Sequence, residues 1–120
     1  DVVLPVDTKP CDDEAMKVRL KDGQIVEITK QMPVEVAAGE FIGIAKFKKN
    51  VIEDLNASTI GVLRDKIYTS YFEGALQRVM DMKKYDIRMI ETKGRFWGEV
   101  DFLEDYQRAA NSICDNLLDF

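Results

Sequence analysis

Apolar and polar positions divide the first half of the chain into short predicted strands. Residues 1–7 are mostly apolar and are typical of an interior strand, and the absence of a preceding start signal suggests that the chain begins inside a larger fold. Residues 16–21 alternate apolar and charged side chains with the period of a half-buried strand. The dipeptide Asp22-Gly23 predicts a type I′ hairpin turn before a returning strand at 25–29. The apolar run 41–47 predicts a strand covered on both faces.

The second half combines helical periods with two more predicted strands. Residues 70–84 carry apolar side chains at helical spacing, and residues 86–91 and 95–100 read as strands around a turn at Lys93-Gly94. A final stripe at helical spacing consists of Leu103, Tyr106, Ala109, Ala110, Ile113, Cys114, Leu117 and Leu118. This order predicts an α/β domain over residues 1–120, with a Rossmann-like mixed sheet flanked by helices.

Composition is that of one globular domain and excludes several classes of partner. The 120 residues are 46% apolar and 32% charged, and 17 Lys and Arg against 22 Asp and Glu give a net charge of −5. We therefore expect no general affinity for nucleic acid or for an anionic membrane. No apolar run approaches the roughly 20 residues that span a bilayer. Any phosphate has to be held locally, by a few cations or a metal.

The absence of histidine narrows the chemistry that the chain can perform. Without histidine there is no His general base, no Ser-His pair and no histidine zinc ligand. The two cysteines, Cys11 and Cys114, fit neither a disulfide framework nor a zinc knuckle, which favours a reducing cytoplasm. Chemistry must then depend on carboxylates, lysines or a hard metal ion.

The most informative segment contains Trp97, Glu99 and Asp101 at two-residue intervals. On a strand these side chains share one face, and two carboxylates beside an aromatic ring suit Mg²⁺, which takes few protein carboxylates. The alternative is structural, because Asp101 and Glu104 have the spacing of a capping box at the start of the last helix. The two interpretations are compatible.

Two further positions are candidates for holding a substrate. Lys30, at the end of a hairpin strand, is placed to pair with a phosphate, although a solvated lysine is the commoner case. A carboxylate at Glu40 suits a hydroxyl or a cationic amine, to which Trp97 or Tyr71 would add a cation–π contact. The acidic run 12–14 lacks the ligand spacing of a calcium loop and reads as solvated surface. Neither GxGxxG nor GxxxxGK occurs.

A series of motifs in order resembles a known enzyme family. They are EAMKV at 14–18, DGQI at 22–25, ITK at 28–30, GEFIGI at 39–44, YFEGAL at 71–76, WGEVD at 97–101 and EDxxxA at 104–109. Together they resemble the second half of nucleotidyltransferases of the phosphocholine cytidylyltransferase and sugar-phosphate nucleotidyltransferase type. The resemblance covers nearly the whole chain.

The resemblance implies a reaction and roles for particular residues. It implies Mg²⁺-dependent transfer of a nucleotidyl group, with CTP favoured as donor, to a small phosphorylated or phosphonylated acceptor, releasing pyrophosphate. Asp101 matches a metal ligand of the family, Lys30 the catalytic acceptor-side lysine, and Glu40 a residue near the acceptor pocket. Tyr71, Trp97 and Glu99 would complete the substrate site.

The chain also departs from the family pattern. The glycine-rich nucleotide-binding loop and an earlier metal-binding aspartate have no counterpart, and Asp7 is not in register with that aspartate. The resemblance therefore implies the carboxy-terminal part of a larger domain, completed by an amino-terminal half or by another copy in a homo-oligomer. Two alternatives remain: a non-catalytic binding or regulatory domain that keeps the fold, and a structural domain in which Trp97 is core and Asp101 a cap.

Overall fold

The computed structural model describes residues 1–65 and 72–117. The strands are β1 (Val2–Asp7), β2 (Lys17–Lys21), β3 (Gln24–Thr29), β4 (Gly39–Phe41), β5 (Lys46–Phe47) and β6 (Ile87–Glu91). The helices are α1 (Ile52–Arg64), α2 (Phe72–Asp81) and α3 (Leu103–Leu117). Short 3₁₀ turns lie at Val34–Val36 and Lys49–Val51. In the described part of the chain, no helix is long and apolar enough to cross a membrane.

The six strands form one mixed sheet around β1. Strand β6 runs parallel to β1 on one edge, whereas β4 and β5 run antiparallel along the other edge. Strands β2 and β3 continue outward in the order β3-β2-β4-β1. Together with the helices this is an α/β architecture of the Rossmann-like class, as the order of patterns predicts.

One face of the sheet packs with α1 and α2 into the hydrophobic core. Alternate residues of β1, Val2, Leu4 and Val6, are completely buried and share the core with Leu55, Val62, Leu76 and Val79 of the helices. Burial of this kind contributes about 1.5–3 kcal/mol for each large aliphatic side chain. The two helices and β1 therefore form the stable body of the domain.

The Asp22-Gly23 turn confirms the predicted hairpin. Asp22 has φ of 52° and Gly23 has φ of 78°, the conformation that a type I′ turn requires. Only Lys17 and Val18 of β2 pair with β4, so the tip of the hairpin projects beyond the rest of the sheet. Leu20 is consequently 37% exposed, although the alternation predicts an inward side chain.

The single strand predicted for residues 41–47 is wrong, because the structure divides it into β4 and β5. Two residues separate Val3 from Val6 on β1, whereas four separate their partners Lys46 and Phe41. The break lies opposite Pro5, whose carbonyl accepts a hydrogen bond from Ile42 N but which has no N–H to return.

The predicted strand at 95–100 is also absent. After the confirmed turn at Lys93 and Gly94, both with positive φ, residues 95–100 follow an irregular path. Contacts of Trp97 and Glu99 with the ends of β1 and β4 take this segment across the sheet instead of along its edge.

The predicted helices form at the predicted positions, but not every residue of their apolar stripes is buried. Helix α2 buries Ala75, Leu76, Val79 and Met80 as its spacing predicts, whereas Phe72 is 44% exposed. Helix α3 forms where the last stripe predicts it. Three members of that stripe, Leu103, Tyr106 and Ala110, are exposed, so the start of α3 does not close the core.

Candidate functional site

A row of polar side chains crosses the face of the sheet opposite the helices. Asp7 on β1 pairs directly with Glu40 on β4, and Lys17 on β2 pairs with Glu40 on one side and Thr29 on the other. Side chains of directly paired residues project from the same face of a sheet. Because the neighbouring residue Val6 faces the core, this row faces away from α1 and α2.

Trp97 is anchored on the first residue of this row. Its indole Nε1 donates a hydrogen bond of 2.7 Å to Asp7 Oδ2, and Lys9 Nζ lies 3.2 Å from the same oxygen. The indole bond, followed by the contacts with Lys9, holds the pKa of Asp7 below its ordinary value even though burial opposes this. The carboxylate of Asp7 is thus ionised, almost fully buried and oriented.

Carboxylates gather around Glu40, the second residue of the row. Burial is the largest cause that raises the pKa of Glu40, followed by the nearby charges of Asp12, Glu99 and Asp7. Lys17 offsets only part of this effect. We call Asp7, Asp12, Glu40 and Glu99, together with Trp97, the carboxylate cluster. It carries excess negative charge, so a cationic group is the ligand that it suits.

The Glu99 side chain passes close to Gly43 on its way to this cluster. A Cβ built on Gly43, just beyond β4, would lie 3.5 Å from Glu99 Oε1, so the carboxylate passes close to the backbone there. The predicted arrangement of Trp97 and Glu99 on one strand face is wrong, since no strand forms. Both side chains nevertheless converge on the end of β1 and β4, because the segment crosses the sheet.

Asp101 is exposed and is not the cap of α3. The cap is displaced by one residue, since Asp105 Oδ2 accepts hydrogen bonds from the backbone N–H of Phe102 at 3.0 Å and of Asp101 at 3.3 Å. The predicted capping box of Asp101 with Glu104 is therefore wrong. Among the side chains of residues 1–65 and 72–112, none hydrogen-bonds to the Asp101 carboxylate, and the side chain is exposed to solvent, where its oxygens could bind a ligand.

Residues that could hold a metal are sparse in the described structure. The described side chains, those of residues 1–65 and 72–112, include no group of three His, Cys, Asp or Glu arranged to hold an ion. Mg²⁺ commonly uses one or two carboxylates and completes its shell with water and substrate phosphate. Asp101 has the chemistry to supply one such ligand.

Lys30 lies just after β3, next to the row. Its carbonyl accepts a 2.7 Å hydrogen bond from Lys17 Nζ, and its own Nζ lies 3.9 Å from Glu14 Oε2. Because Thr29 and Glu40 flank Lys17 on neighbouring strands, the end of β3 lies two strand spacings, about 10 Å, from Glu40. The main chain of Lys30 thus lies near the row, whereas its side chain lines a groove beside α2.

Lys30 also lines a groove between β3 and α2, with a volume of about 970 Å³. Gln77 of α2 closes part of this edge, accepting a hydrogen bond from Ile28 N at 2.9 Å and donating to Val26 O at 3.3 Å. One carboxylate oxygen of Glu73 is buried in the groove wall without a partner among the described residues. The groove is separate from the carboxylate cluster.

Of the predicted site residues that the structure describes, three are brought together and two lie apart. Glu40, Trp97 and Glu99 meet at the carboxylate cluster, Lys30 and Asp101 lie outside it, and Tyr71 falls outside the described residues.

Four residues that sequence reasoning did not select also belong to this region: Asp7, Asp12, Lys17 and Thr92. Asp12 is exposed, as predicted for the acidic run 12–14, and its carboxylate accepts hydrogen bonds from Glu14 N and Ala15 N and lies near Glu40. Thr92 continues the pairing of β6 with β1, donating from its N–H to Val6 O at 3.0 Å. Its hydroxyl is buried without a partner in residues 1–65 and 72–117. An aspartate that ends an apolar strand, as Asp7 does, is the one signal that could have been used.

Comparison with known proteins leaves the family open. No protein-family model matches the chain, and no curated protein matches it significantly.

Proposed function

We propose that this chain is the acceptor-binding and magnesium-ligating part of a nucleotidyltransferase. The reaction is transfer of a nucleotidyl group, with CTP as the favoured donor, to a small phosphorylated or phosphonylated acceptor, with release of pyrophosphate. The observation that supports this most is the hydrogen bond between Trp97 and Asp7, because it joins the WGEVD segment to the row that contains Glu40. The family resemblance supplies the reaction.

The charge of the site favours one class of acceptor. Four carboxylates close to one another, one of which is hydrogen-bonded to Trp97, are poor surroundings for a neutral sugar and good surroundings for an ammonium group. We therefore propose phosphocholine or an aminoalkylphosphonate ahead of inositol phosphate or a sugar 1-phosphate. Glu40 and Glu99 would hold the cationic end with Trp97, and Lys30 would pair with the phosphate.

The metal would lie at Asp101, whose exposed carboxylate offers an oxygen ligand. Bound there, Mg²⁺ would offset the charge that develops on the phosphates. The residues of this chain would orient the acceptor, which is a large part of catalysis in phosphoryl chemistry. An upstream half or another chain would supply the nucleotide-binding loop. A reducing cytoplasm is part of the proposal.

The test is pyrophosphate release by the full-length protein with CTP, Mg²⁺ and each of the four acceptor classes. Asp101→Ala should lower kcat by about 100-fold or more, as loss of electrostatic stabilisation does. Glu104→Ala is the matched control, an exposed acid at the start of α3. Equal activity of the two variants would remove Asp101 from the metal site.

A second candidate is a non-catalytic domain that binds a cationic ligand. It is favoured by the negative charge of the carboxylate cluster, which suits a cationic ligand without any nucleotide. Pyrophosphate release with none of the acceptors, together with binding of phosphocholine that Glu40→Gln abolishes, would establish it. The transferase proposal would then fail.

A further inference from the structure

Lys17 is the most deeply buried charged residue in the described structure. Only 1% of it is exposed, and it lies in the polar row between Glu40 and Thr29. A lysine is rarely buried unless its ammonium group is fully hydrogen-bonded, because removing the charge from water is costly. The partners of this ammonium therefore indicate what the residue does.

Three main-chain carbonyls surround the Lys17 ammonium. Nζ donates hydrogen bonds to Lys30 O at 2.7 Å, Asp13 O at 2.9 Å and Ala15 O at 3.0 Å. An ammonium group has three N–H donors, so these bonds use all of them. Lys17 therefore has no donor left for a substrate phosphate, which separates its role from that of Lys30.

The three carbonyls belong to two segments that the ammonium group joins. Asp13 and Ala15 lie in the turn before β2, and the same turn is held by Asp12 Oδ1, which accepts hydrogen bonds from Glu14 N and Ala15 N. Lys30 follows β3 at the other side. The buried ammonium thus joins the turn that carries Asp12 to the main chain of Lys30.

We infer that Lys17 is a positioning residue for the acceptor site, whose buried ammonium fixes the Lys30 main chain and the Asp12 turn beside Glu40. The inference rests on the proposed function, since it assigns Lys30 and Glu40 to the acceptor. Lysine is required because three divergent N–H donors match three carbonyls, whereas the planar fork of arginine does not.

Chemical rescue of Lys17→Ala tests the inference. The variant lacks three methylenes and the ammonium, which n-propylammonium restores; tetramethylammonium carries the same charge without an N–H donor. Lys21→Ala is the matched control, an exposed lysine at the far end of β2. Two readouts are measured: the ¹H–¹⁵N shifts of Glu14, Lys30 and Gln31, and the KM values for acceptor and for CTP in the full-length protein.

We expect Lys17→Ala to move the three amide signals and to raise the acceptor KM by about tenfold or more, since hydrogen bonds to charged groups are each worth that much. The KM for CTP should stay unchanged. Propylammonium should restore the amide signals, and tetramethylammonium should not. Unmoved amide signals, or equal rescue by both cations, would overturn the inference.

A second variant covers the case in which Lys17→Ala does not fold. Lys17→Met keeps an apolar stem and removes the donors, and it should show the same shifts and the same split between the two KM values. A folded Lys17→Met with wild-type signals would contradict the inference. The amide signals do not depend on activity, so a wild-type protein without transferase activity refutes the proposed function alone.

Discussion

The two faces of the sheet differ in what holds them together. On one face, Val2, Leu4 and Val6 of β1 are completely buried against the apolar side chains of α1 and α2. On the other face, the alternate residue Asp7 begins a row of charged side chains that is covered by a loop and by Trp97. Residues adjacent in sequence therefore serve opposite purposes: one set stabilises the fold, and the other gathers charge at some cost to stability.

The largest loss of stability should come from a substitution on the helix-covered face. Leu76→Ala removes a completely buried side chain of α2 and should lower the free energy of unfolding by about 2–5 kcal/mol. Leu63→Ala is the same change at a side chain of α1 that is 54% exposed, and its effect should be much smaller. Urea denaturation of both variants measures the difference, and equal losses would show that α2 does not cover the core.

The next-largest loss of stability should come from disturbing the close packing of β4 against β1. A Cβ at Gly39 would lie 2.4 Å from Asp7 O and 2.7 Å from Val6 Cγ1. Gly39→Ala must push the backbone of the row apart, and we expect a loss of about 1–3 kcal/mol. Gly98→Ala, which has open space around its Cβ, is the control. If thermal unfolding shows Gly39→Ala to be as stable as Gly98→Ala, the two strands are not in this contact.

Trp97→Phe tests the polar face, because the stability that this substitution removes should depend on pH. The hydrogen bond from Trp97 keeps the pKa of Asp7 below 3.8, so its stabilisation is present above pH 3.8 and is lost as pH falls through the lowered pKa. We expect a loss of about 1–2 kcal/mol at pH 7 that shrinks in acid. Denaturation at pH 7 and pH 3 measures both values, and a loss that is independent of pH would indicate packing alone.

The smallest predicted change in stability is a gain and not a loss. Burial and the neighbouring carboxylates raise the pKa of Glu40 above 4.5, so its ionised form destabilises the fold at neutral pH. Glu40→Gln should stabilise the protein by roughly 0.2–1 kcal/mol at pH 7, as expected for relief of a like-charge pair across strands. The gain should vanish below pH 4.5. Glu91→Gln, at an exposed glutamate, is the control at both pH values. A gain in stability of the same size in that variant would show that the gain comes from the change in net charge.

Much of the secondary structure is readable in the sequence because local patterns govern it. The Asp22-Gly23 turn, β1, β6 and the buried stripe of α2 follow from residue period and turn chemistry. The break opposite Pro5 could have been anticipated only by knowing which strand pairs with β1. Such pairing depends on residues about 35 positions apart, which no local period records.

The candidate site was predictable in composition but not in arrangement. Sequence reasoning selected Glu40, Trp97 and Glu99, and it omitted Asp7, Asp12 and Lys17, to which they are joined. Lys17 shows the reason most clearly: alternation assigns it correctly to the face opposite Val18, but it does not reveal that a loop covers that face. Burial of a charge is decided by what packs over it.

The sequence by itself determined the α/β class, the hairpin and the absence of histidine chemistry, because composition and short-range periods are sufficient for these. Only the tertiary structure decided that Trp97 hydrogen-bonds to Asp7, that Asp105 and not Glu104 caps α3, and that Lys17 is enclosed by three carbonyls. Each of these depends on where a segment without regular secondary structure crosses or borders the sheet. Such paths are set by side-chain contacts between distant residues, which the order of residues does not display.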